Sequence, residues 1–203
     1  MSQKWSGLIA KALLSMLGTG LVGGCTKETI SDSIIYPDVQ CGQTVEESFL
    51  GNSGTDVLGA SDKMSQAMYV FGLVGARMEV NRLTVRMSSE NLTSATVKVY
   101  QGGNVPEAGE LVGSATVTSG LGSSSPDDEV VFAFSPALTL TVSGENELDK
   151  YYFVVEGAGG AYTMAVQGVR PINSLRYVKK NGSWSSQSAY MSLSIRYKVV
   201  CPL

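Results

Sequence analysis

The sequence predicts an all-β fold, a single antiparallel β-sandwich of about ten short strands. Three observations carry that expectation. Runs in which apolar and polar residues alternate recur along the chain, turn-forming residues separate them at short intervals, and no segment repeats with the period of an amphipathic helix.

In chain order, the first strands are expected around 44–50 and 67–74. Leu83-Thr84-Val85-Arg86-Met87 and Ala95-Thr96-Val97-Lys98-Val99 then alternate, as a strand with one face on a core must, because successive side chains point to opposite sides. A strand around 111–118 follows. Val130-Val131-Phe132-Ala133-Phe134 and Tyr151-Tyr152-Phe153-Val154-Val155 are more continuously apolar, the pattern of strands in the interior of a sandwich, and Leu138-Thr139-Leu140-Thr141-Val142 alternates between them. Strands around 162–167 and 174–178 precede the longest alternation, Met191-Ser192-Leu193-Ser194-Ile195-Arg196-Tyr197-Lys198-Val199, whose apolar residues share one face. The turns are Gly102-Gly103-Asn104, Ser123-Ser124-Ser125-Pro126, Ser143-Gly144-Glu145-Asn146, Gly157-Ala158-Gly159-Gly160 and Asn181-Gly182, all built from residues that accept positive φ or pre-set a turn.

The succession of these strands over roughly 78–200, with Asn181-Gly182-Ser183-Trp184 ahead of the closing strand, resembles jelly-roll modules of the carbohydrate-binding-module type in exported bacterial proteins. The resemblance implies a jelly roll. It also implies a surface for a sugar or a protein, or a spacer, since one fold hosts many functions.

The N-terminus reads as an export signal. Lys4 and Lys11 precede a mostly apolar stretch that ends in Leu21-Val22-Gly23-Gly24-Cys25. That ending resembles the lipobox of bacterial lipoproteins, which implies that Cys25 is acylated and begins the mature chain. An ordinary secretory signal and a retained anchor are the competing readings; the latter is short of apolar length, because a span needs about 20 apolar residues. The division expected is a signal peptide at 1–24, a polar tether at 25–40 and the sandwich at 41–203. Thr26 after the cysteine resembles the sorting pattern that sends lipoproteins to the outer membrane.

Three cysteines leave an odd thiol in an oxidising compartment. With Cys25 acylated, Cys41 and Cys201 remain as a pair at the two ends of the folded region, and a disulfide between them is expected; two buried thiols are the alternative. Loss of the signal takes 15 basic residues to 13 against 18 acidic, a net charge of −5. No basic run survives, so nucleic acid is not an expected partner. The lipid is the expected link to the membrane.

The chain has no histidine, which excludes Ser-His-Asp and Cys-His catalysis and histidine-bearing metal sites. An enzyme is not expected; a hydrolase using a carboxylate pair is the one class left formally open. Asp127-Asp128-Glu129 and the group Glu145, Asn146, Glu147 and Asp149 have oxygens suited to Ca²⁺, but solvated loop charge is the favoured reading and no cofactor is expected. Trp184, with Tyr100, Tyr162, Tyr177 and Tyr190, offers either an aromatic platform or packing at the core margin. If there is a ligand site, Trp184, Asn181 and Ser183 are its candidates. The leading function is a lipid-anchored, non-enzymatic binding or adhesion module of the cell envelope for glycan or protein. A structural subunit of a larger envelope or surface assembly comes second and the hydrolase third.

Overall fold

The computed structural model describes residues 41–70, 75–141, 149–168 and 175–201. The expected signal, Cys25 and the tether lie outside the described residues, as do the turn Ser143-Gly144-Glu145-Asn146 and Glu147. Among the described residues there are thirteen strands and no helix. They are β1 (Thr44–Phe49), β2 (Gly54–Leu58), β3 (Lys63–Val70), β4 (Arg77–Arg86), β5 (Ser94–Gln101), β6 (Glu110–Val117) and β7 (Glu129–Thr141). There follow β8 (Asp149–Ala158), β9 (Tyr162–Gln167), β10 (Arg176–Lys180), β11 (Ser183–Gln187), β12 (Tyr190–Met191) and β13 (Leu193–Val200). The excess over ten comes from the short β2, β11 and β12.

The pairing is a nested set of antiparallel partners. Innermost is β5 with β6, then β4 with β7, β3 with β8, β2 with β9, and outermost β1 with β13. The strands form a four-stranded sheet in the order β1-β13-β4-β7, a six-stranded sheet β11-β10-β3-β8-β5-β6 and a three-stranded sheet β12-β9-β2. The pairs β5–β6 and β3–β8 fall in the six-stranded sheet, β4–β7 and β1–β13 in the four-stranded one and β2–β9 in the small one, an alternation expected when one long hairpin is rolled up. That is the jelly roll, and it is an antiparallel β-sandwich.

Alternation decides what lies between the sheets. Met78, Val80, Leu83 and Val85 of β4 and Leu193, Ile195 and Tyr197 of β13 face Met64 and Met68 of β3, Val97 and Val99 of β5, and Tyr151, Phe153 and Val155 of β8, all buried in one cluster. Each such side chain stabilises the fold by about 1.5–3 kcal/mol relative to exposure. The segment 130–134 and the described part of 138–142, which ends at Thr141, are one strand, β7, whose register jumps where Val80 and Arg82 face Leu138 and Ala133. Pro136 sits in that irregular stretch on the edge of its sheet, where its missing donor costs no ladder bond.

The long final alternation is split at Ser192. Met191 pairs with β9, and Leu193 pairs with both β1 and β4. Ser192 holds the crossing: its amide donates to Ala165, its carbonyl accepts from Arg86, and its hydroxyl accepts from the Gly51 amide at 3.0 Å. Buried Arg176 ties the small sheet to the large one, donating to the Ala189 carbonyl and pairing with Asp56 of β2.

Cys41 and Cys201 are bonded, with Cα atoms 5.5 Å apart across 160 residues of chain. The Gly42 amide donates to Val199 and the Val199 amide to Gln43, so backbone bonds align the two ends beside the bridge. The bond therefore clamps the outermost pair of the nest. Replacing both cysteines by serine should destabilise the fold by about 4–5 kcal/mol on the chain-entropy account of so long a loop. Thermal unfolding of the double variant against the parent, both unreduced, measures this.

Candidate functional site

The outer face of the six-stranded sheet is unusual in being covered. Ala67 of β3, Tyr152 and Val154 of β8 and Tyr177 of β10 point away from the main core, yet they form a second buried cluster with Tyr100 and Trp184 at its margin. Their cover is the β5–β6 loop, residues 102–109, which reaches from β5 across β8 and β3 to β10. Buried Pro106 lies in this strap, and Tyr152 Oη donates to the Gly103 carbonyl at 3.3 Å. Gly109 closes its neck: a Cβ there would stand 2.1 Å from the Gln101 carbonyl oxygen, which no side chain can do.

Glu107 anchors the far end. Its Oε1 lies 2.6 Å from Lys63 Nζ and its Oε2 2.6 Å from Lys179 Nζ. Lys63 also meets Glu156 at 2.7 Å, and Glu156 meets Lys98 at 2.5 Å. On the other side, Lys179 Nζ stands 5.5 Å from the centroid of the Trp184 ring. A single row of alternating charge thus crosses the sheet from β5 to β11: Lys98, Glu156, Lys63, Glu107, Lys179 and the Trp184 ring. An exposed ion pair contributes only about 0.2–1 kcal/mol, but these partners are partly desolvated and linked, which makes the row firmer than its pairs taken singly.

Burial disfavours the charge on Glu107 and Glu156, and the hydrogen bonds from Lys179, Lys63 and Lys98 outweigh it, holding both carboxyls below their ordinary range. For Lys63, burial likewise opposes the charge and the bonds to Glu107 and Glu156 overcome it, raising its pKa. A general acid needs a carboxyl held protonated. The two carboxylates that flank Lys63 are held ionised, so neither is poised as a general acid.

A second cationic group lies at one end of the cluster. Lys150 Nζ stands 4.5 Å from the Tyr152 ring centroid and 6.0 Å from those of Tyr69 and Tyr177, an ammonium among three aromatic faces. Burial lowers its pKa and raises those of Tyr69 and Tyr152. Tyr152 and Tyr177 meet edge to face with centroids 5.6 Å apart.

The residues singled out from sequence divide. Trp184 is half-buried at the margin of this cluster, beside Lys179, its cross-strand neighbour. Asn181 (φ 52°) and Gly182 (φ 81°) form the two-residue turn between β10 and β11, the positive φ at both positions being what an Asn-Gly hairpin supplies. Asn181 is exposed at the tip. Ser183 is exposed and, one residue from Trp184 in the same strand, points to the opposite face. The structure therefore does not bring all three onto one surface. Of the wider aromatic set, Tyr100 and Tyr177 join Trp184, whereas Tyr162 is in the main core with its hydroxyl donating to the Asp62 carbonyl, and Tyr190 is buried on β12.

The acidic loop does not converge. Asp127 accepts from Asn52 at 2.6 Å, Asp128 from Ser123, and Glu129 lies 3.5 Å from Arg86. Among the described residues no group of three or more acidic or thiol side chains is placed to hold a metal.

Sequence reasoning missed Glu107, Lys63, Glu156 and Tyr152. The one signal available was the continuous apolarity of Tyr151-Tyr152-Phe153-Val154-Val155, which requires cover on both faces. The core covers one and the strap the other.

No family model matches the sequence, and no curated protein matches it. Among solved structures, the chain is similar to a surface-layer-associated protein of Clostridium difficile, in a structure of its cysteine protease and lectin-like domains, at 11% identity and a TM-score of 0.39. It covers 73% of this chain and 36% of that one. It is also similar to the VP2 subviral particle of infectious bursal disease virus, at 10% identity and a TM-score of 0.34, covering 89% of this chain and 47% of that one. The chain thus spans less than half of either, and at these scores neither likeness bears on activity or partner.

The row of charges sets a pH dependence. Carboxyls with lowered pKa contribute stability that is full above their ordinary 4.5 and is lost as pH falls through their lower folded values. Lys63, with its raised pKa, contributes stability that is full below 10.5 and is lost as pH rises through its folded value. Melting temperature should therefore be flat between these limits and fall outside them, and Glu107→Gln should make the acid-side fall shallower in the same titration.

Proposed function

We propose that this chain is a non-enzymatic binding module of a bacterial cell envelope, anchored by lipid at Cys25 in the outer membrane, and presenting the outer face of the six-stranded sheet to a glycan or protein. The observation that carries the reading is the covered aromatic cluster. A sheet face with only a structural task is ordinarily polar and solvated; this one gathers Tyr69, Tyr100, Tyr152, Tyr177 and Trp184 with two lysines at their rings. Aromatic faces bordered by charge are what sugar rings and protein anchors dock on. Attachment through Cys25 needs two or more acyl chains to be stable, since one gives only marginal binding.

Two measurements test the reading. Mass spectrometry of the mature N-terminal peptide should find Cys25 first and acylated; an unmodified peptide beginning elsewhere removes the anchor. Extraction of the full chain from its native membrane in detergent, followed by a glycan array, tests the module. Binding that drops by about 1–3 kcal/mol in Trp184→Ala, the scale of an interface anchor, with the melting temperature little changed, is the expected result. Absence of any glycan binding, with a stoichiometric protein partner co-purifying, points instead to the structural subunit.

A further inference from the structure

Glu107 does more than fasten a loop. Lys63 and Lys179 are direct cross-strand neighbours on β3 and β10, an arrangement in which like charges repel. One carboxylate sits between them, each oxygen on one ammonium. Lys63 has Glu156 as a second partner; Lys179, among the described residues, has no carboxylate other than Glu107. Two residues from Lys63 on β3, and so on the same face, lies Ser65, fully buried, its hydroxyl without a partner in the structure. Next to Lys179 is the ring of Trp184.

The residue that fills this place is itself held awkwardly. Glu107 has φ 67°, in the left-handed region that residues other than glycine seldom occupy without strain. Gly102 and Gly103, at φ 71° and 82°, form the turn from which the strap departs, and glycine's freedom there lets it serve as a hinge. A strained carboxylate on a hinged loop, bonded to a lysine pair that repels itself without it, is an occupant that a better-seated carboxylate can displace.

From this we infer that the Lys63–Lys179 pair with Trp184 is a subsite for a carboxylated sugar, a uronic acid unit of a polysaccharide, which the strap's Glu107 fills in the unliganded protein. The inference deepens the binding-module reading and rests on it. A sugar acid fits better than an acidic side chain because the row supplies an aromatic face beside the ammonium pair. The ring stacks on Trp184, the carboxylate replaces Glu107, and a sugar hydroxyl reaches Ser65 once the strap lifts. Affinity of the free protein is reduced by the fraction of time the strap is closed, so removing the internal carboxylate raises it.

The test is calorimetric titration of the full chain, in detergent, with hexagalacturonate and with a neutral glucan hexamer. Glu107→Gln, which keeps the side-chain volume, should bind hexagalacturonate at least tenfold more tightly than the parent, and adding Lys179→Gln should abolish that gain. Glu107→Asp, too short to reach both lysines, is the second variant should Glu107→Gln fail to fold, and it should show a smaller gain. The inference is overturned if the folded Glu107 variants bind the acidic hexamer no better than the parent, or not at all. A neutral hexamer bound as tightly as the acidic one, with the same gain in the Glu107 variants, would overturn it too, while leaving the binding-module reading in place.

Discussion

The outermost strand pair is the constraint on which the rest depends. In this nested set of antiparallel partners, the outermost pair must bring residues some 150 apart in the chain into register: Thr44 against Lys198, Phe49 against Leu193. Loop closure over that separation is the entropic burden of this topology. The Cys41–Cys201 bond lies just beyond that register and converts the burden into a property of the unfolded chain. With β1 and β13 fixed, β4 follows by pairing with β13 and β7 by pairing with β4, and one layer of the sandwich is complete.

The other layer is where the sandwich departs from the minimum its topology needs. The β10–β11 hairpin widens it beyond β3, which creates a broad outer face, and the strap then crosses that face. Both additions meet at the Lys179 ammonium, held by Glu107 from the strap and lying by Trp184 from β11. The hairpin gives the main core only Val178 of β10, and the strap lies on the opposite face of the sheet. Their joint product is a buried aromatic cluster on the side of a sheet that ordinarily faces water, secured by charge at its rim.

How much of this could be read from sequence depends on whether the signal was local. The alternation of Leu83 to Met87 and of Ala95 to Val99 gave strands because one face of each meets the core, and the Asn-Gly turn declared its own geometry. Cysteine parity gave the bond. The first half of β3 was missed because Lys63, Ser65 and Gln66 look like loop; Ser65 and Gln66 are buried all the same, and Gln66 accepts from the Met191 amide, a partner 125 residues away that no local pattern encodes. β11 was missed because Ser183-Trp184-Ser185-Ser186-Gln187 has one apolar side chain, and its strand geometry comes from main-chain bonds to β10. The candidate site was legible only at Trp184 and its tyrosine neighbours Tyr100 and Tyr177. Glu107 gave no signal, since its importance lies in two lysines 44 and 72 residues away in the chain.

The account turns on the claim that Glu107 holds the strap over an otherwise accessible face. Residue-resolved hydroxyl-radical footprinting of the parent and Glu107→Ala addresses it directly, because Tyr152 and Phe153 are adjacent, equally buried, and face opposite sides of the sheet. The account predicts that both are protected in the parent, and that in the variant Tyr152 is oxidised while Phe153 stays protected. Oxidation of Tyr152 in the parent, or its undiminished protection in the folded variant, would contradict it.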